Sequence, residues 1–216
     1  MRSFSTIDIM AFATALQYTL LLVVLALAFG SPLALLLALL RTTKAALPRW
    51  LTALFLQLVQ GIPLLALLMF FYFGLPVFLG VQIAPLVAVT VAFTIYTAVF
   101  LGEIWRGGIE AIKQTQWEAA ACLGISRWQQ FRYVIAPQAM KIALPATVGF
   151  LVQLIKGTSL AAVVGFIELT RAGQLASAAT FQPLLIYSVV AAIYFAICFP
   201  LTLWSRTLEA RLNGAR

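Results

Sequence analysis

The residues that could carry chemistry are concentrated in a polar segment between positions 103 and 141. It holds eight of the chain's 20 charged side chains: Glu103, Arg106, Glu110, Lys113, Glu118, Arg127, Arg132 and Lys141. The chain has no histidine, and its two cysteines, Cys122 and Cys198, stand alone without the spacing of metal ligands. No carboxylate pair and no nucleophile with a base converges here, so the segment favours ionic contacts with another molecule over catalysis or metal binding.

The sequence on either side of this polar segment is typical of membrane helices. Hydrophobic residues make up 63% of the 216 residues and charged residues 9%, whereas a soluble domain has about 25% charged residues. Charge-free stretches run over 9–40, 50–102 and 172–205, which leaves room for one, two and one spans of about 20 residues. The net charge of +8 then indicates basic residues at a membrane surface, not nucleic-acid binding.

We predict an all-α integral membrane protein with one transmembrane domain over residues 1–216. Its five transmembrane helices are expected at about 12–40, 51–73, 85–105, 142–166 and 183–204, with a cytoplasmic loop at about 106–141 between the third and fourth. Eleven of the 14 basic residues fall on the side of that loop: Arg41, Lys44, Arg49, Arg106, Lys113, Arg127, Arg132, Lys141, Arg206, Arg211 and Arg216. The positive-inside rule therefore places the loop and the C-terminus in the cytoplasm and the N-terminus outside. Arg2 and Arg171 fall on the outer side, and Lys156 within a span.

The centre of the polar segment predicts two short helices separated by a sharp turn. Thr115 with Glu118, and Ser126 with Gln129, have the spacing of capping boxes. Gly124 suits the left-handed residue that follows a helix.

One face of the first short helix carries mostly small residues. Trp117, Ala120, Ala121 and Gly124 recur at helical spacing, and small side chains let another surface approach closely. Two interpretations stay open here: a docking surface for a second protein, or an amphipathic helix lying on the bilayer.

Polar residues also occur at membrane depth. Gln57 and Gln60 precede Gly61 and Pro63 in the second span, and amides at this depth need either a hydrogen-bonding helix or a solute path.

The fourth span contains Lys156, a charge that costs about 2.5–3.5 kcal/mol to insert. It could meet a substrate carboxylate, pair with Glu103 or Glu168, or extend to the outer surface.

Several motifs resemble those of ABC importer permeases. Glu-Ala-Ala at 118–120, followed by Gly124 and by Ile-Ala-Pro at 135–137, resembles the family's EAA loop. QGIPLL at 60–65, EIWRGGI at 103–109, KGTSL at 156–160 and ELTR at 168–171 are similar to further motifs of the polar amino-acid uptake branch. The resemblance covers about 12–212.

This resemblance implies the type I importer fold and a permease that moves an amino acid across a bacterial inner membrane. A coupling helix at 116–124 would dock on a separate ATPase, through the contact residues Glu118, Ala119, Ala120, Ala121, Gly124 and Arg127. Since the chain lacks the loop G-x-x-x-x-G-K-[ST], it is expected to bind no cofactor itself, with ATP held by the ATPase subunit.

The same resemblance implies further partners besides membrane lipid. A second permease chain, identical or related, would form a dimer around the path, and an extracytoplasmic solute-binding protein would deliver the amino acid. The candidate path residues are Gln57, Gln60, Gly61, Phe150, Gln153, Lys156 and Thr158.

The sequence departs from the family pattern at three places in the path. Gly157 stands where Asp is common, Phe150 where members for basic amino acids carry Glu, and Gln60 replaces Arg. A cationic substrate would lack counter-charges, so we expect a neutral or acidic amino acid, or recognition by the partner chain.

Three other functions compete with amino-acid import. The chain could be a permease of the same loop type for methionine or an osmolyte. A secondary carrier would usually show internal repeats, and none is visible. An intramembrane enzyme would need converging acids or a nucleophile with a base.

Overall fold

The structure is a computed structural model that describes residues 4–214, with side chains to residue 212. Within these residues the fold is helical, as predicted. Its elements are α1 (Thr6–Thr42), α2 (Ala46–Gln60), α3 (Leu64–Leu79), α4 (Pro85–Glu110), α5 (Gln114–Cys122), α6 (Arg127–Val164), α7 (Leu169–Thr180) and α8 (Pro183–Gly214). Arg2 and Arg216, which entered the orientation argument, lie outside the described residues.

Four of these helices, α1, α4, α6 and α8, are long and apolar enough to cross a membrane. The second predicted span, at 51–73, is corrected by the structure: it is the pair α2 and α3, bent by 97° at the break between them. Counting that pair as one span gives five. The cause is local, since Pro63 lacks an N–H and disfavours helical geometry at the residue before it.

The remaining predicted boundaries shift outward. The first, third and fifth spans were placed at 12–40, 85–105 and 183–204, and each helix continues beyond those limits into polar sequence. The fourth, placed at 142–166, begins 15 residues earlier, at Arg127, so much of the expected loop at 106–141 is helical. Charged residues mark where lipid ends, and a helix can continue past that point into water.

Helix α6 changes its hydrogen-bonding pattern twice. It passes through a π-helical stretch at Gln130–Ile135 and tightens into a 3₁₀ helix at Thr158–Val164, after the α-helical part Ala136–Gly157. The second change falls where the KGTSL motif interrupts the apolar run.

The core lies where α1, α3, α4 and α6 meet. Its fully buried members include Leu22, Leu68, Phe93 and Leu154. Because lipid is as apolar as these side chains, close packing and hydrogen bonds hold the helices together. Gly108 shows how close the packing is, since a Cβ there would lie 2.8 Å from the carbonyl oxygen of Ala139. This contact fixes the C-terminal end of α4 against α6.

Candidate functional site

Helix α5 follows α4 after a short turn and starts two residues earlier than the predicted 116. It begins at Gln114 with Lys113 as the N-cap, so Thr115 lies inside the first turn. The predicted capping box of Thr115 with Glu118 is therefore wrong.

The end of α5 agrees with the prediction. Gly124 has φ +69°, in the left-handed region, and its N–H donates to the carbonyl of Ala121 at 3.0 Å. The second capping box is also confirmed: the Gln129 N–H donates to Ser126 Oγ at 3.3 Å, and the Ser126 N–H donates to Gln129 Oε1 at 2.9 Å. The chain thus turns sharply between two helices of defined direction.

The two faces of α5 have different roles. Trp117 is partly buried and Ala120 is 2% exposed, so both pack inward against the chain itself. The structure therefore removes Ala120 from the predicted contact set. From residue 118 to residue 124, the exposed residues are Glu118, Ala119, Ala121, Cys122, Leu123 and Gly124. Leu123, 71% exposed, was missed because the sequence does not tell which side of a short helix faces its own chain.

The inward face of α5 is braced against α4 and α6. Trp117 packs on a cluster formed by Ile109, Ile112 and Ile135. The Gln138 side chain of α6 adds a hydrogen bond, in which its Nε2 donates to Gln116 Oε1 at 3.3 Å. The exposed face of α5 is thus tied to two membrane-spanning helices.

A polar crevice of about 550 Å³ lies beside α5. Glu118 and Arg127 line it together with Lys44, from the turn after α1. Glu118 and Arg127 form no ion pair with each other or with another side chain in residues 4–212. Both are exposed, so their charges are available to a partner.

A second group of predicted residues converges at an open cavity on the side of the helical bundle. Gln60, Phe150 and Gln153 line about 330 Å³ between α2, α4 and α6, together with Glu103. Gln153 donates a hydrogen bond from Nε2 to Tyr96 Oη at 2.9 Å. Phe150 stacks on Tyr96, with ring centroids 6.0 Å apart. The cavity therefore offers two amides and an aromatic surface.

Glu103 in this cavity already has a partner. Arg106 donates from Nε to Glu103 Oε2 at 3.0 Å and also pairs with Glu110 one turn further on. The carboxylate in this cavity is consequently neutralised by a guanidinium on its own helix.

Lys156 and Gln153 line a separate groove of about 420 Å³, whose lining also includes Arg206 of α8. Lys156 is exposed and forms no ion pair within residues 4–212. The pairing with Glu103 or Glu168 is therefore not seen, since both carboxylates bond elsewhere.

Three predicted path residues lie outside these cavities. Thr158 is fully buried, and its hydroxyl donates to the Ile155 carbonyl at 2.6 Å, so it stabilises the helix and does not face a path. Gln57 and Gly61 are exposed at or near the break between α2 and α3 and line neither cavity.

Glu168 has a structural role as a helix cap that the sequence did not reveal. It is fully buried between α6 and α7, outside the predicted spans, and caps α7 by accepting the N–H groups of Thr170 and Arg171, each at 2.8 Å. The Tyr194 hydroxyl of α8 donates to it at 2.9 Å. Burial raises the pKa of the Glu168 carboxyl, and these hydrogen bonds only partly oppose that shift. Glutamate is not a favoured N-cap residue, so no sequence signal indicated this role.

Comparison with known proteins identifies the family that the sequence motifs resemble. A family model for the "binding-protein-dependent transport system inner membrane component" matches residues 30–214. The chain is 37% identical over 198 residues to the glutamine transport system permease protein GlnP of Escherichia coli (strain K12), covering 91% of this chain and 90% of that one. It is 35% identical over 194 residues to the probable amino-acid ABC transporter permease protein YckA of Bacillus subtilis (strain 168), covering 90% and 85%.

Solved structures show the same architecture. A crystal structure of an amino acid ABC transporter with histidines superposes with a TM-score of 0.85 at 29% identity, covering 97% of this chain and all of that one. An inward-facing MetNI methionine ABC transporter gives a TM-score of 0.70 at 18% identity, covering 94% of each chain. The second likeness shows the fold alone.

The buried carboxyl of Glu168 predicts a pH dependence of stability. Its pKa is raised in the folded chain, so folding favours the protonated form, and stability from this group is lost as pH rises above the ordinary value of 4.5. Replacing Glu168→Gln should remove that loss. In detergent, melting temperatures of the wild-type chain should fall relative to the Gln variant as pH rises from 4.5.

The variant Glu168→Ala is compared with Glu168→Gln, because alanine has no hydrogen-bond acceptor at this position. Glu168→Ala leaves the amides of Thr170 and Arg171 and the hydroxyl of Tyr194 without their acceptor, at a cost of about 1–3 kcal/mol or more at every pH. Parallel melting curves for the wild-type and Gln chains across the pH range would show that Glu168 does not titrate in this way.

Proposed function

Because the chain belongs to the family of binding-protein-dependent transport system inner membrane components, we propose that α5 docks into a separate ATP-hydrolysing subunit and carries its movement to the solute path. The chain is the membrane permease subunit of an amino-acid ABC transporter and a transport component, not an enzyme. The secondary carrier and the intramembrane enzyme are thereby excluded. Likeness to the methionine transporter extends to the fold alone, so it does not favour methionine as the solute.

The observation that carries the docking proposal is the exposed face of α5. Glu118, Ala119 and Ala121 are exposed on a helix whose opposite side is fixed to its own chain by Trp117 and Ala120. An amphipathic helix on a bilayer would expose its large apolar residue to lipid, whereas Trp117 packs inward. An outer surface of small residues, the exposed Leu123 and the charges of Glu118 and Arg127 suits a cleft in another protein.

The packing gives a route for mechanical coupling. A push on α5 is transmitted to α4 and α6 through the isoleucine cluster and the hydrogen bond from Gln138 to Gln116. The same two helices line the 330 Å³ cavity further along. In the proposed cycle, ATP bound by the ATPase subunit closes its dimer, α5 moves with it, and the path changes its accessible side.

The exposed polar residues of α6 favour a paired permease. Lys156 and Gln153 line a groove open at the chain surface, and a lysine facing lipid costs about 2.5–3.5 kcal/mol. A second permease chain, identical or related, would cover this face and enclose a water-filled path. An extracytoplasmic binding protein would deliver solute from the outer side of a bacterial inner membrane.

The lining of the path favours an uncharged polar amino acid. Gln60 and Gln153 supply amides, and Arg106 already neutralises Glu103. Phe150 occupies the position where a carboxylate would be expected for a cationic side chain. Relatives such as the glutamine transport system permease protein support this class of solute.

A substitution at Gly124 tests the docking proposal. A Cβ at Gly124 meets no atom within 4 Å in its own chain, and the same is true of Gly80, whose φ is +67°. Leucine at either site pays a similar backbone strain of about 1–2 kcal/mol. We expect Gly124→Leu to lower co-purification of the ATPase and uptake at least about tenfold, since its side chain obstructs the contact.

Gly80→Leu is the matched control, because it follows α3 in a turn far along the chain from α5. It should leave the ATPase bound. Equal recovery of the ATPase with both variants would contradict the docking role of the α5 turn.

Gln153 tests the solute preference. A carboxylate in Gln153→Glu would stand in both path cavities and attract a cationic solute. We expect the affinity ratio of lysine to glutamine to rise about tenfold. The measurement is the binding of lysine and of glutamine to the purified permease–ATPase complex. The solute-binding protein is left out of this assay, so its own preference does not contribute to the ratio.

Gln57→Glu is the control, since Gln57 is exposed on α2 and lines neither cavity. It should leave the ratio unchanged. Lysine binding as tight as glutamine binding in the wild-type complex would contradict the preference for uncharged side chains.

A further inference from the structure

A basic pocket lies between the end of α1 and the start of α2. Its volume is about 600 Å³, and its lining includes Arg41, Arg49, Leu47 and Trp50, with no acidic residue among the described side chains. We propose that this pocket binds the headgroup of an anionic phospholipid. The proposal concerns a surface that neither the solute path nor the α5 contact uses.

The charges of the pocket are not neutralised by the chain. Arg41 Nε is shielded from solvent and has no hydrogen-bond partner within residues 4–212. Its charge acts on Glu103, but both oxygens of that carboxylate already accept from Arg106. Arg49 is exposed and forms no ion pair with a described side chain. An anion in the pocket would therefore meet the exposed guanidinium of Arg49, with the second positive charge of Arg41 in the same lining.

The start of α2 adds to this positive field. Its N-cap, Ala45, provides no side-chain hydrogen bond, and its first turn contains no acidic residue. The first N–H groups of the 15-residue helix are thus left for another acceptor.

An apolar stripe on α2 identifies the anion as a lipid. Its members recur at helical spacing and are 40–67% exposed: Leu47, Trp50, Leu51, Leu54 and Leu58. The stripe starts at the arginines and runs toward the break at Gly61, the order in which a headgroup and its acyl chain would lie. Tryptophan beside basic residues is typical of the membrane interface. Inorganic phosphate would use the charges and leave this stripe uncovered.

A lipid titration tests the proposal. The permease–ATPase complex is purified in detergent, stripped of lipid and titrated with phosphatidylglycerol, neutral phosphatidylcholine or inorganic phosphate, and bound molecules are counted by native mass spectrometry. Phosphatidylglycerol should bind at least about tenfold more tightly than the other two. Arg49→Gln should weaken it about fivefold, the contribution of one basic residue at an anionic surface, whereas Arg49→Lys should retain most of the affinity.

Arg211→Gln is the matched control, since Arg211 is exposed in the last turns of α8 and outside the pocket. Equal phosphatidylglycerol binding by Arg49→Gln and Arg211→Gln would overturn the proposal. Equal binding of inorganic phosphate would overturn the lipid assignment, and loss of the ATPase from Arg49→Gln at all lipid concentrations would assign the pocket to a protein contact. If Arg49→Gln does not assemble, Arg41→Gln on the opposite wall gives the same comparison.

Discussion

The structure depends on the close contact between α4 and α6 at the ends of these helices that lie next to α5. Gly108 lies so near the Ala139 carbonyl that no side chain fits between them, and the isoleucine cluster beside it holds α5. In lipid, where burial of apolar surface gives little driving force, such backbone contact is the main way to make a rigid joint. A movement of α5 that did not move α4 and α6 would have to break this packing.

The polar side chains fall into two groups, those that are bonded within the chain and those that are exposed without an ion partner. Glu103 and Glu168 are satisfied by side chains or backbone of the same chain. Lys156 and Arg49 are left exposed without an ion partner among residues 4–212. The first group stabilises the bundle. The second indicates surfaces that other molecules cover, which for Lys156 is the proposed partner permease and for Arg49 the proposed lipid.

Much of the fold was predictable because lipid imposes a simple rule. Charge-free stretches gave four of the five spans when the bent pair is counted as one, and the apolar run around Lys156 gave the other. Gly124 gave the turn after α5. The 97° bend was not predicted, since Gly-x-Pro in a membrane helix is compatible with a mild kink or with a full break. Helix α7 was missed because its N-cap is Glu168, and its sequence is too polar for a span. For the site, Ala120 and Thr158 were misplaced because residue type and spacing do not reveal which neighbour covers a helix face.

The docking role of α5 is tested most directly by cross-linking from Cys122, which is exposed beside Ala121, whereas Cys198 is buried. A photoreactive maleimide on Cys122, in a complex isolated in mild detergent, should cross-link to the ATP-hydrolysing subunit. The same reagent on Val77→Cys in a Cys122→Ser chain should not, since Val77 is equally accessible but belongs to α3. A chain that purifies alone, or a Cys122 probe that labels only lipid, would contradict the account.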